Sequence, residues 1–153
     1  MTLKHLIMMI SLLIAVMAIP QAHAQLGILN DLLGSVNIQG TVSCTSNDNN
    51  VAAAIPGFSN AQVQLQCGEK VFSDATTDGD GMFSMMVNPL LYDLSSLLSG
   101  CNLVIPTPLS KCNSNLPSIG GLISTLRYVG LSHVGTETIA NMEPSGFHFK
   151  PSV

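Results

Sequence analysis

"VNIQGTVSC", residues 36–44, changes side almost residue by residue: Val36, Ile38, Val42 and Cys44 share one parity, and Asn37, Gln39, Thr41 and Ser43 the other. Successive side chains of a pleated strand point to opposite faces, so this alternation predicts a half-buried strand. The same period returns in "AQVQLQC" (61–67), with Val63, Leu65 and Cys67 opposite Gln62, Gln64 and Gln66. It returns again in "GMFSMMV" (81–87) with Phe83, Met85 and Val87, and in "CNLVI" (101–105) with Cys101, Leu103 and Ile105. Three of these segments carry a cysteine on the apolar parity at a strand end, where it could cross to a facing sheet and staple a β-sandwich. Short strands separated by turn signals predict an all-β, disulfide-stapled sandwich or small barrel.

One stretch breaks the period. "NPLLYDLSSLLSG" (88–100) offers Asn88 as an N-cap, Pro89 at the first helical position, a stripe of leucines and Gly100 as the stop. This predicts one short helix of about two turns. After Cys112 the signal weakens. Residues 120–127 fit either a strand or a short helix, while "VGTETIANME" and "GFHF" read as late strands.

The N-terminal region has a different organisation. Lys4 and His5 precede an uninterrupted apolar run over residues 6–19, followed by "PQAHA". A basic start, an apolar middle and small residues at the end predict a secretory signal peptide over 1–24, cut between Ala24 and Gln25. The run falls short of the roughly 20 residues needed to cross a bilayer, so no transmembrane segment is expected. Residues 25–35 form a short amphipathic segment, and 36–153 a single β domain.

Composition narrows the function classes. The formal net charge is −4, charged residues make up 9% of the chain, and the count falls further once Lys4 leaves. Nucleic-acid partners need clustered Lys and Arg, and cationic membrane lysis needs the opposite sign of charge. All four cysteines lie beyond the leader. An even count in an exported chain reads as two disulfides, for which three pairings are open.

"DATTDGDGMF" (74–83) resembles a calcium loop, with acidic residues closing on a glycine. Aligned on Asp80 and Gly81, however, the first ligand position is Thr76 and the twelfth is Val87, which cannot ligate. A turn between two strands of a hairpin, with Asp and Gly supplying positive φ, is the expected reading. No catalytic, cofactor or metal residues are expected. His133 and His148 lack ligand spacing, Asp78 and Asp80 sit on a turn tip rather than across a cleft, and no nucleophile elbow or phosphate loop occurs. Met82, Met85 and Met86 read as core filling. With no Trp and only Tyr92 and Tyr128, the chain offers little stacking surface for sugars.

Four blocks in fixed order, "IQGTVSC", "IPGFSNAQVQLQC", "TTDGDGMFSM" and "CNLVIPTPLSKC", resemble the pollen-allergen/extensin family of plant secreted proteins, the olive major allergen type. Within it, "CNLVIPTPLSKCNSNLPSIGGL" most resembles the phylloplanins. The resemblance runs from Ile38 to Phe149. It implies a barrel or sandwich of about seven strands. That family typically carries six cysteines. Asn47 stands where its second falls, and no cysteine follows Gly146-Phe147, so both halves of one bridge are missing together. The resemblance then implies bridges Cys44–Cys112 and Cys67–Cys101. It further implies secretion to the plant surface or cell wall and inhibition of spore germination by pathogens such as oomycetes. The expected partner is a microbial or spore surface. A non-toxic structural or interaction module of the cell wall or cuticle is the competing function.

Overall fold

The apolar parity of each alternating segment is the buried one. In a computed structural model that describes residues 3–5, 33–46 and 55–153, Val36, Ile38, Val63, Leu65, Cys67, Phe83, Met85, Val87, Cys101, Leu103 and Ile105 are all buried. The chain divides into two compact units, Met1–Asp31 and Leu32–Val153. Of the first, only residues 3–5 are described, and they are helical. The leader's apolar run, its Ala24/Gln25 junction, residues 25–32 of the amphipathic segment and Asn47 lie outside the described residues.

The second unit carries β1 (Leu33–Thr41), β2 (Gln62–Cys67), β3 (Lys70–Thr76), β4 (Met82–Val87), α1 (Leu94–Gly100) and β5 (Cys101–Ile105). A 3-10 turn (Leu109–Lys111), β6 (Gly121–Val134), β7 (Glu137–Pro144) and β8 (His148–Lys150) complete it. β1 thus begins at Leu33, inside the segment assigned to 25–35. Seven strands follow the path β3-β2-β5-β6-β7-β1-β4, with β8 paired to β6 off that path. The two end strands, β3 and β4, are consecutive in the chain and meet at their turn, so the sheet forms a nearly closed barrel with one short helix, as the alternation predicts.

β6 makes this curvature possible. Its first part pairs with β5 (Asn102↔Thr125 to Ile105↔Leu122), and its second with β7 (Leu126↔Pro144 to Val134↔Glu137). Gly121–Ile123 also pair with β8. The ambiguity over 120–127 therefore resolves as a 14-residue strand. β1 lies antiparallel to β4 and parallel to β7.

Four readings are corrected. The helix begins at Leu94, not near Pro89, because Asp93 captures the N-cap: its Oδ1 accepts from Ser96 N at 2.7 Å and from Ser95 Oγ at 3.0 Å. Asn88 instead closes a turn of its own, accepting from Leu90 N through Oδ1 and from Leu91 N through its carbonyl. β3 and β4 flank the 77–81 turn but form no hairpin ladder, since β3 pairs with β2 and β4 with β1. Cys67 and Cys101 face each other in the β2–β5 ladder, so their bridge joins neighbouring strands of one sheet, not facing sheets. Of the methionines assigned to the core, Met85 is buried, but Met82 and Met86 are 54% and 55% exposed on the outer parity of β4.

The second bridge, Cys44–Cys112, ties the loop that follows β1 to the C-cap of the 3-10 turn. Beside it, three loops lock together. Val42 N donates to Gly81 O (2.8 Å), Phe58 N to Val42 O (2.7 Å) and Thr77 N to Ala61 O (2.9 Å). Gly57 and Gly81 sit where backbones touch. A Cβ on Gly57 would overlap the Asp80 carbonyl, and Gly81 holds φ at +82°. Thr77, buried, donates its hydroxyl to Phe58 O (2.5 Å) and accepts from Ala61 N (2.8 Å). Leaving both partners unpaired costs about 1–3 kcal/mol each, so Thr77→Val is expected to lose about 3 kcal/mol in urea unfolding, and Thr77→Ser much less. Equal stability of the two variants would show that the hydroxyl is not holding this corner.

Candidate interaction surface

The outer parity of β1 and β4 faces solvent; it is polar along β1, while on β4 Ser84 stands between the exposed Met82 and Met86. Ser84 Oγ on β4 donates to Asn37 Oδ1 on β1 (3.0 Å), Asn37 Nδ2 to Asn141 Oδ1 on β7 (3.3 Å), and Asn141 Nδ2 to Ser132 Oγ on β6 (2.9 Å). A row of uncharged amides and hydroxyls thus crosses four strands. It exists because β1 pairs in register with both neighbours, Asn37 opposite Asn141 on one side and Gln39 opposite Ser84 on the other. Arg127 and Glu143 close one side as an ion pair.

At one end of this row lies an open groove of 480 Å³. Gln39, Thr41, Met82 and Ser84 line it from β1 and β4, Thr76 from the end of β3, Asp78 from the turn that follows, and Glu143 from β7. Apolar side chains also reach the surface elsewhere: Leu90 (81% exposed), Ile119 (77%) and Val134 (65%). Charge is sparse on all of these surfaces. Among the described residues, the one titrating group held away from its ordinary range is Asp93, lowered by the side-chain and backbone hydrogen bonds of Ser96 and by the Ser95 hydroxyl. A depressed carboxyl favours the folded state above its unfolded pKa, and that contribution fades as pH falls through the lowered folded value.

The Asp78 carboxylate is committed to the backbone of the turn. Asp78 Oδ1 accepts from Asp80 N and Met82 N, both at 2.9 Å, and Asp78 N donates to Met82 O. Only Gly81 supplies a positive φ in this turn; the aspartates do not. Millimolar calcium is expected to leave the melting temperature unchanged. A rise of several degrees would show that the turn reorganises around the ion. His133 Nδ1 lies 3.3 Å from Thr138 Oγ1, and His148 is on β8, so the two histidines are not brought together. Among the described residues no three His, Cys, Asp or Glu side chains cluster as metal ligands, and no helix is long and apolar enough to cross a membrane. Tyr92 is taken up by an edge-on contact with Phe72, centroids 4.7 Å apart, and Tyr128 is half exposed on β6.

The amphipathic segment of residues 25–35, a candidate for adsorption to apolar material, is described only from Leu33 onward. What sequence reading missed is the groove. Its only local signal is the polar parity of β1, which marks a solvent face and says nothing about which strands stand beside it.

Comparison with known proteins adds a family. The family described as "Phylloplanin antifungal protein" matches residues 32–153. The tobacco (Nicotiana tabacum) protein named phylloplanin is 43% identical over 151 residues, covering 92% of this chain and 92% of its own length. No solved structure matches the chain.

Proposed function

The chain belongs to the phylloplanin family, and from that premise we propose that it is a secreted plant surface defence protein that inhibits spore germination or growth of microbial pathogens such as oomycetes. The observation that carries this reading is the family match across the whole β unit, residues 32–153, under a description that names an antifungal protein. The leader-like start over residues 1–24 supports export to an extracellular location on the plant surface or in the cell wall. The order of the four sequence blocks supports a place for the family beside the pollen-allergen/extensin proteins.

The protein acts by contact and not as an enzyme. A sparse negative charge gives no means of cationic lysis, and the two carboxylates that line the groove are engaged, Asp78 by the backbone of its turn and Glu143 by Arg127. An uncharged polar face bordered by exposed apolar side chains suits adsorption to a spore or germ-tube surface. The reading is tested by adding purified, disulfide-intact protein to oomycete or fungal spores and counting germination. Dose-dependent inhibition is expected. No inhibition at any soluble concentration would favour the non-toxic structural module of wall or cuticle, which recovery of the protein from wall extracts rather than surface washes would then support.

A further inference from the structure

We propose that the groove over β1 and β4 binds a neutral, hydroxyl-rich glycan chain. Its lining carries unspent hydrogen-bonding groups. The Thr41 and Thr76 hydroxyls have no partner among the described residues, Gln39 has only its Oε1 engaged (by Asn37 Nδ2 at 3.4 Å), and Asp78 uses only Oδ1. These donors and acceptors stand on strand and turn backbone already fixed by the β1–β4 ladder and by the bonds of the 77–82 turn, so little order is lost when they are used.

The same lining rejects other ligand classes. It holds no lysine or arginine, and its two carboxylates are Asp78 and Glu143, the latter paired with Arg127, so phosphate- and sulfate-bearing ligands find no cation in the lining to bind them. Its exposed apolar wall is Met82, which gives a sugar ring's C–H face a contact. The one aromatic ring in the lining, Phe83, is buried, so the site forgoes stacking, each sugar unit is held weakly and a polymer is held by repetition of contacts. The choice of ligand rests on the proposed action at a microbial or plant wall.

The test is an amide-resolved NMR titration of the whole folded protein with cellohexaose and laminarihexaose, and with a neutral Ser-Gly hexapeptide as the competing class. Saturable shifts are expected at residues 39–41, 76–78 and 82–84 with at least one glycan and not with the peptide. Gln39→Ala combined with Thr41→Val should weaken that binding about tenfold while leaving the rest of the spectrum in place. The absence of saturable shifts with either glycan, shifts confined to other residues, or equal response to the peptide would overturn the inference. Germination assays keep the two ideas apart. Glycan binding without inhibition leaves the groove and removes the defence role, whereas inhibition that survives in the double variant leaves the defence role and removes the groove from it.

Discussion

Replacing Cys44 and Cys112 together by alanine is expected to lower stability by about 4 kcal/mol and the melting temperature by about 15 °C. The bridge spans 68 residues and encloses the second, which spans 34. A cross-link stabilises mainly by restricting the unfolded chain, more so for a longer loop. Nesting modifies this. With Cys67–Cys101 intact, the unfolded chain between Cys44 and Cys112 is already shortened by the inner loop, so the outer bridge's advantage in length is largely cancelled. The two bridges should therefore contribute alike when removed singly. Against a typical total of about 5–15 kcal/mol, either loss leaves a marginal fold. Peptide mapping of unreduced protein checks the premise, and a linked Cys44–Cys67 peptide would refute it. Scanning calorimetry of the alanine pair checks the magnitude, and a loss under about 1 kcal/mol would show that the corner between β1 and the 3-10 turn holds without its bridge.

Phe58→Ala is expected to cost about 4 kcal/mol, the range for emptying a buried aromatic site. Phe58 is 1% exposed although it lies in no strand or helix. Its backbone is held at both ends, by Val42 O at its N–H and by the Thr77 hydroxyl at its carbonyl. The corner therefore cannot relax into the space the ring leaves, which places the loss toward the upper part of that range. Phe58→Leu retains most of the apolar volume and should cost about 1.5 kcal/mol. Urea unfolding of the two variants measures the difference, and near-equal midpoints would mean that the 56–61 loop moves to fill the void.

Phe58 also marks where sequence reading ends. The strands whose parity is clean, at 36–44, 62–67 and 82–87, are legible because one face meets the core and the other lies toward water; at 101–105 the apolar parity is also buried, but Val104 on the opposite face is buried with it. Residues 55–61 have no period, so nothing local distinguishes the core phenylalanine from its polar neighbours. β6 fails for another reason: its alternation holds only as far as Leu126 and then gives way to exposure on both faces where the strand changes partners. The helix is misplaced because two residues, Asn88 and Asp93, can each cap; in the fold Asn88 closes a turn of its own and Asp93 takes the N-cap. The groove is a product of topology. β1 lies between β4 and β7 by a parallel pairing across about a hundred residues of chain, and no pattern within either strand announces the neighbour.

A bridged barrel that works through its outer face loses its effect when that face is dismantled. Germination counts with native protein and with the same protein reduced, alkylated and shown by circular dichroism to be unfolded test this most directly. Inhibition by the native form alone is the predicted result. Equal inhibition by both would contradict it, because activity would then reside in a linear stretch of chain and not in the folded surface.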